Sequence, residues 1–268
     1  MSFLELKSRY VLHGRLHGDE GLHIGSGVPS TKSDAPFLLQ GGQPFLPGSS
    51  LRGVLRSTVE RMVRGIFGPG RCCVLFDQDS AAKDCAAGNE DLRKKLESAS
   101  AEEFDKRRSE LKFCAVCNLF GSTLMASRLK VSDAVAVNAS GTNILPVKRD
   151  GVGIDRDTET ARDKLKYDYE VLERGCDFKF SLHLENGGSG DFALLYMAIK
   201  EMEHGIEVGG RRARGLGRVS LAEYYVEYFD CAREYTVLDF LDKGFARVEK
   251  QQFEGWLKEA FEEWRKTG

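Results

Sequence analysis

No run of 18 apolar residues occurs in the 268-residue chain, so no segment reads as a membrane-spanning helix. The first residues, Met1-Ser2-Phe3-Leu4-Glu5-Leu6-Lys7, lack a basic region followed by an apolar stretch. They do not read as a secretion signal, and the expected location is the cytoplasm. Internal repeats and low-complexity segments are missing too. So is an excess of positive charge: 39 Lys and Arg against 41 Asp and Glu leave a net charge of −2. That balance argues against strong non-specific attraction to nucleic acid. Cysteine is present but odd in number, at seven. Without an export signal, these residues read as thiols or metal ligands rather than a disulfide framework.

The neutral total hides an uneven distribution. Residues 209–218 carry four arginines and no acid, whereas residues 77–110 carry ten acids against seven bases. A basic groove on one face is compatible with this pattern.

The most organised stretch is Pro44-Phe45-Leu46-Pro47-Gly48-Ser49-Ser50-Leu51-Arg52-Gly53 and the helix it opens, to about Arg64. Leu51, Val54, Leu55, Thr58, Val59, Met62, Val63 and Ile66 follow the i, i+3, i+4, i+7 spacing of an amphipathic helix. Arg52, Arg56, Glu60 and Arg64 stand four apart on the other face. A serine-capped start offers free N–H groups and the positive end of the helix dipole, and the arginine row extends that field. The arrangement suits a phosphate, or equally a solvated basic helix face.

Elsewhere the pattern alternates. Residues 8–17 read as a half-buried strand, with Tyr10, Leu12 and Leu16 on one face and Val11, His13, Arg15 and His17 on the other. Further strands are expected near 128–137, through Phe178, Phe180, Leu182 and Leu184, and over 217–229. A second helix is expected over 191–204, and one or two more between Val237 and Trp264, whose aromatics suit core and subunit packing. Residues 25–43, rich in Gly, Ser and Pro, read as a long loop holding Asp34, and loops of that length are usually functional. Residues 68–118 interrupt the pattern with five of the seven cysteines and an expected exposed helix at 89–111. Residues 141–174 carry charge and glycine but little core material, as a projecting hairpin does.

Without the insertions, the order is strand, helix, strand, strand, helix, strand. That is the order of the ferredoxin-like fold shared by RNA-recognition modules. The expected fold is therefore α+β. A ferredoxin-like, RRM-like domain spans 1–232, with a zinc-binding insertion at 68–118 and a projecting hairpin at 141–174. A helical C-terminal extension at 233–268 packs on it.

Three groups carry candidate chemistry. Cys73 and Cys85, joined to the C-x-x-C pair Cys114 and Cys117, give four thiolates for tetrahedral zinc. The first spacing is irregular, Cys72 could replace Cys73, and scattered buried thiols are the alternative. Cys176 and Cys231 read as core residues. Arg211, Arg212, Arg214 and Arg218 alternate with Gly209, Gly210, Gly215 and Gly217. Glycine lets backbone approach a phosphate and arginine offers it a bidentate fork, the alternative being a solvated turn. Asp34 precedes Pro36, and an Asx-turn is the ordinary use of such an aspartate.

Taken in order, Leu22-His23-Ile24-Gly25, Asp34-Ala35-Pro36, Pro47 to Gly53, Gly151 to Thr158 and Gly210 to Gly217 resemble the RAMP superfamily. The likeness is to backbone subunits of type III CRISPR effector complexes. It covers about residues 8–225, and the cysteines resemble the zinc knuckle of some of those subunits. The resemblance implies many copies stacked in a helical filament along a guide RNA, beside other RAMP subunits, with complementary target RNA paired to the guide. It implies RNA contacts by His23, Ser49, Ser50, Arg52, Arg56, Arg211, Arg212, Arg214 and Arg218, and a thumb at about 147–172 that wedges between bases. It further implies target cleavage by Asp34 within the assembled complex, through in-line attack aided by a divalent cation, Mg2+ or Mn2+. A silent RNA-binding scaffold of the same complex and a stand-alone guide-precursor ribonuclease are the alternatives.

Overall fold

The first expected strand forms as β1 (Ser8–Gly18). Tyr10, Leu12 and Leu16 are buried on one face, while His13, Arg15 and His17 stay half-buried on the other. Burial of Val11 as well marks β1 as a central strand. The structure, a computed structural model, describes residues 5–31, 33–75, 82, 84–100, 102, 111–137 and 144–267.

Along the chain β2 (Leu39–Gln40) and β3 (Gln43–Leu46) lead into α1 (Gly48–Phe67). The inserted segment holds α2 (Glu90–Glu97) and α3 (Ala115–Phe120). Then come β4 (Leu129–Val131), β5 (Ala134–Val137), a hairpin of β6 (Val147–Ile154) and β7 (Ala161–Val171), β8 (Asp177–Glu185) and α4 (Ser189–His204). β9 (Ile206–Glu207), β10 (Arg218–Asp230), α5 (Val237–Lys243), β11 (Ala246–Val248) and α6 (Lys250–Lys266) complete the described elements.

Among the described residues nine strands make one sheet, ordered β11-β10-β1-β8-β5-β3-β2, with β4 beside β8 and β9 beside β10. Its centre is antiparallel, β10-β1-β8-β5, with Tyr10 opposite Tyr228 and Leu184. These strands, with α1 and α4, are the ferredoxin-like core. Leu51, Leu55, Val59 and Val63 of α1 pack with Leu194, Leu195, Ala198 and Ile199 of α4 in one cluster with Phe178, Leu182 and Leu184 of β8. The period-3.6 stripes of the helices meet the period-2 face of the sheet there.

Several expectations need revision. The strand near 128–137 is two short strands, broken at Ser132-Asp133. The helix expected at 89–111 is α2 from Glu90 to Glu97, and residues 101 and 103–110 lie outside the described residues. The C-terminal region contributes β11, which extends the sheet from β10, besides its helices. Cys231 is exposed rather than a core residue, and Cys176 is only partly buried.

The start of α1 differs most. Pro47, not a serine, stands at the N-cap, and no side chain of the adjoining segment caps the helix. Instead the Gly48 N–H donates to Asp133 Oδ1 at 2.7 Å, from the break between β4 and β5. That break is pressed against Gly48: a Cβ there lies 2.3 Å from the Val131 carbonyl oxygen and 2.8 Å from the Ser132 carbonyl. Both obstacles are backbone and cannot rotate away. Gly48→Ala is therefore expected to destabilise the fold by about 3 kcal/mol, read as a lowered denaturant midpoint. The neighbouring exposed Gly53→Ala, with no atom near its Cβ position, is expected to leave stability unchanged or raised.

Candidate nucleic-acid interface and metal centre

Asp34 sits where the long loop meets the root of the hairpin. β7 gives one edge to β6 and lends the other to this loop. Glu170 N–H donates to the Ala35 carbonyl at 3.0 Å, and Phe37 N–H donates to Glu170 Oε2 at 2.8 Å. Two residues earlier the contact is reciprocal. Asp34 N–H donates to Asp168 Oδ1 at 2.8 Å, and Asp168 N–H donates to Asp34 Oδ2 at 3.0 Å. Lys148 of β6 pairs with Asp168 at 2.5 Å. Asp34 is exposed and opens on a cleft of about 580 Å3 lined by Lys148, Asp150, Lys166, Tyr167 and Asp168. The cleft is thus large enough for a nucleotide-sized ligand.

The Lys148–Asp168 pair is robust to acid. Asp168 is held down at about 2, first by the Lys148 hydrogen bond and then by the Asp34 amide, whereas an aspartate ordinarily titrates near 3.9. A depressed carboxylate favours the fold above its unfolded value and loses that contribution as pH falls through the folded one. The charge of Asp168, and with it the Lys148 pair, therefore persists down to about pH 2. Lys148 is raised in turn, chiefly by the same hydrogen bond, and stays cationic.

The other face of β7 carries Tyr167 and Tyr169, stacked 6.1 Å apart. The Arg211 guanidinium lies 4.0 Å over Tyr169, and the Arg214 guanidinium lies 5.5 Å over Tyr167 and donates to its hydroxyl. A guanidinium held over an aromatic ring by cation–π attraction still has N–H donors to offer a phosphate. Arg212 is exposed beside them. The loop is held by glycine: Gly209, at φ +77°, would drive a Cβ to 2.4 Å from the His23 carbonyl oxygen, which also accepts the Gly210 N–H at 2.9 Å.

Arg218 departs from this group. Its guanidinium donates to the His204 carbonyl at 2.7 Å, a cation at the C-terminus of α4. His23 is buried; its Nδ1 donates to the Glu170 carbonyl at 2.7 Å and its ring meets Tyr169 edge-on. It is a packing residue beneath the loop rather than a surface offered to RNA.

Ser49 and Ser50 are exposed in the first turn of α1. The expected arginine row is not a free face. Arg52 donates to the Phe120 carbonyl, and Arg56 donates to the Gly121 carbonyl at 2.6 Å. Arg56 also pairs with Glu60 at 2.7 Å, and its side chain is only 12% exposed. Both arginines are spent on the C-terminal end of α3, which carries Cys117.

Cys73, Cys85, Cys114 and Cys117 bring their sulfurs within 4.8 Å of one another. Cys73 Sγ is 3.3 Å from Cys117 Sγ and 3.8 Å from Cys114 Sγ. A tetrahedral zinc with Zn–S of about 2.3 Å has sulfurs about 3.8 Å apart, so the donor set fits such an ion. Cys73 rather than Cys72 completes it; Cys72 donates its S–H to the Cys73 carbonyl and joins the main core. The thiols cannot all ionise on their own. Cys114 is driven down, first by hydrogen bonding with Cys117, while hydrogen bonding to Cys114 drives Cys73 and Cys117 up. The Arg56 guanidinium donates to Cys117 Sγ at 3.4 Å and offsets thiolate charge from outside the set. The cluster could hold a metal ion such as zinc.

Sequence reasoning missed Asp168, Tyr167, Tyr169 and Asp133. The run Lys166-Tyr167-Asp168-Tyr169-Glu170 held a signal for the first three: as a strand it puts acids on one face and tyrosines on the other.

A ferredoxin-like sheet, a hairpin rooted beside it and a glycine-framed arginine loop define an RRM-like α+β module. The RAMP superfamily model matches residues 19–220, and the chain belongs to that superfamily. A search of curated proteins gave no match. Membership supports a CRISPR-associated, RNA-binding role, with RNA and other subunits of a CRISPR complex as partners. Among the described residues no helix is long and apolar enough to cross a membrane.

Proposed function

We propose that the chain is a guide-RNA-binding backbone subunit of a type III CRISPR ribonucleoprotein, and that it cleaves complementary target RNA at Asp34. The observation that supports this best is the setting of Asp34: an exposed carboxylate clasped to the hairpin root by Asp168, at the mouth of an open cleft. Tyr167 belongs both to that cleft and to the arginine stack, so a strand held by Arg211, Arg212 and Arg214 runs past the carboxylate. Ser49 and Ser50 offer hydroxyls to the guide. Arg52, Arg56 and Arg218 act mainly through the fold, because each is engaged by a carbonyl.

In the cleavage step Asp34 takes the proton of a target 2′-hydroxyl as that oxygen attacks the adjacent phosphorus. A divalent cation, Mg2+ or Mn2+, would be held by Asp34 and would supply further positive charge at the phosphate. A structural zinc held by Cys73, Cys85, Cys114 and Cys117 keeps the inserted segment folded. Copies of the chain and other RAMP subunits flank it on the guide.

The complex reconstituted on a guide and given complementary RNA with magnesium should yield regularly spaced products. Binding without cleavage would make the chain a silent scaffold, and cutting of precursor by the isolated chain would make it a processing enzyme. The arginine loop has its own readout. Arg211, Arg212 and Arg214 replaced together by alanine should weaken guide binding and lower the slope of log affinity against log salt by about 2, at about 0.7 per phosphate contact. An unchanged slope would remove the loop from the guide path.

A further inference from the structure

We infer that the face of the sheet turned away from α1 and α4 carries a second RNA-binding site, a groove for a short stretch of single-stranded RNA. The site stands apart from the proposed cleavage at Asp34 and does not depend on it. On the helix side of the sheet, Tyr10, Leu12 and Leu16 of β1 are packed into the core. The opposite side carries His13 and Arg15 of β1 and is covered at one end, where Phe229 of β10 stacks on Phe240 and Phe245 at 4.9 and 6.0 Å. Beyond that cover lies an open groove of about 490 Å3 whose lining includes His13, Arg15, Lys179, Glu223, Tyr225 and Arg247. It is large enough for a nucleotide. Of these six only Lys179 falls within residues 19–220, so the match to the RAMP superfamily does not carry the site. Nor is it part of the arginine loop: Tyr225 lies seven residues along β10 from Arg218, about 23 Å at about 3.3 Å per residue.

Charge and shape both point to a nucleic-acid strand. The lining brings three arginine or lysine cations and one carboxylate. Arg15 answers that carboxylate, Glu223, at 2.9 Å and also Asp177 at 2.5 Å. Lys179 and Arg247 are exposed and form no ion pair among the described residues. Glu227, the register partner of Arg247, instead shares a hydrogen bond of 3.2 Å with His13. Two cations are therefore left for a polyanion. They stand on β8 and β11, three strand spacings apart, about 14 Å at about 4.8 Å each. That separation suits two phosphates of one chain rather than a single anion. Between them the side chains are planar. His13 stacks on Tyr225 with ring centres 4.8 Å apart and an interplanar angle of 18°, and the Arg247 guanidinium lies 4.2 Å from the centre of the Tyr225 ring. Imidazole, phenol and guanidinium thus form a row across β1, β10 and β11. Unpaired bases stack on such groups, whereas paired bases have their faces taken by their neighbours.

The test titrates a fluorescently labelled octauridylate into the full chain with Arg211, Arg212 and Arg214 replaced by alanine, so that the arginine loop contributes nothing. This chain should still bind the probe. Adding Lys179→Gln and Arg247→Gln is expected to weaken binding about tenfold and to lower the slope of log affinity against log salt by about 1.4, at about 0.7 per phosphate contact. Tyr225→Leu keeps both cations and should weaken binding about tenfold at an unchanged slope, as the loss of a stacking platform does. Lys258→Gln, an exposed lysine of α6, should change neither. A loop-deficient chain that fails to bind the probe, or a double variant with unaltered affinity and slope, would overturn the site. Either result leaves the guide path over the arginine loop to its own measurement in the assembled complex. Polyglutamate binding as tightly as the probe and insensitive to Tyr225→Leu would make the groove a seat for an acidic protein segment, and would overturn its assignment to RNA.

Discussion

Cys114→Ser is expected to empty the cysteine cluster of metal and unfold the inserted segment around it. The native chain should purify with about one equivalent of zinc, and the variant with none. The effect is large because, among the described residues, the second cluster of buried apolar residues is built on Cys73, Cys85 and Cys117 themselves with Ala82 and Ala87, Leu75 and Phe113 packing against it. Structural zinc in small domains provides about 10–16 kcal/mol of apparent binding energy that is also folding energy. The separate core should survive, so far-UV circular dichroism is expected to lose only part of its signal. The consequence should spread along one path. Arg56 donates to Cys117 Sγ and to the Gly121 carbonyl, and Arg52 donates to the Phe120 carbonyl. Val116, Leu119 and Phe120 keep α3 on the main core, but with Cys117 released from a metal this end of α3 shifts, the acceptors of both arginines move with it, and the start of α1 loosens. Guide affinity should fall in Cys114→Ser although Cys114 touches no RNA. Freshly purified, unchelated native protein without metal would sink the site.

The same two arginines show what periodicity can and cannot convey. The helical spacing from Leu51 to Ile66 located α1 and its buried stripe, because the pattern repeats within a few residues and depends only on backbone geometry. The row Arg52, Arg56, Glu60 was likewise visible as a row. What covers it was not, because α3 reaches it from some 60 residues away. The serines misled for a related reason. Pro47-Gly48-Ser49-Ser50 looks like a capping sequence, yet the group that accepts the Gly48 N–H is Asp133, 85 residues further along the chain and brought beside it by the pairing of β3 with β5. His23 and Arg218 were read by residue type, and burial or a carbonyl partner decided their roles. The strand order was legible because each core strand alternates, and with the two helices it already spells the ferredoxin-like sequence. β11 escaped notice because three residues show no period. The cysteine set was visible by residue type, and only folding could choose Cys73 over Cys72. Asp34 was visible through its loop and its resemblance. Its partner Asp168 lay in a mixed-charge hairpin, where no local pattern distinguishes one acid from the next.

That partnership sets the form of the decisive substitution. Asp34→Ala removes the base and also the acceptor for the Asp168 N–H, so a lost activity could come from a slackened loop. Asp34→Asn retains a carbonyl oxygen at the position of Oδ2 and can keep that hydrogen bond, while losing the charge and the ability to take a proton. Asp34→Asn should therefore fold and assemble as the native chain does, with guide and target affinities unchanged, and cleave about 1,000-fold more slowly, within the range by which general-base groups accelerate proton transfer. Asp34→Ala should be as slow and should add a modest loosening of the loop, seen as faster amide exchange at Asp168 and Glu170. The two variants separate positioning from chemistry. If Asp34→Asn keeps its activity and Asp34→Ala loses it, Asp34 serves as a structural clasp and the base lies elsewhere. If both retain it, the exposed carboxylate is an ordinary loop residue. Only equal loss in both, with binding intact, fits a carboxylate that takes the 2′-hydroxyl proton.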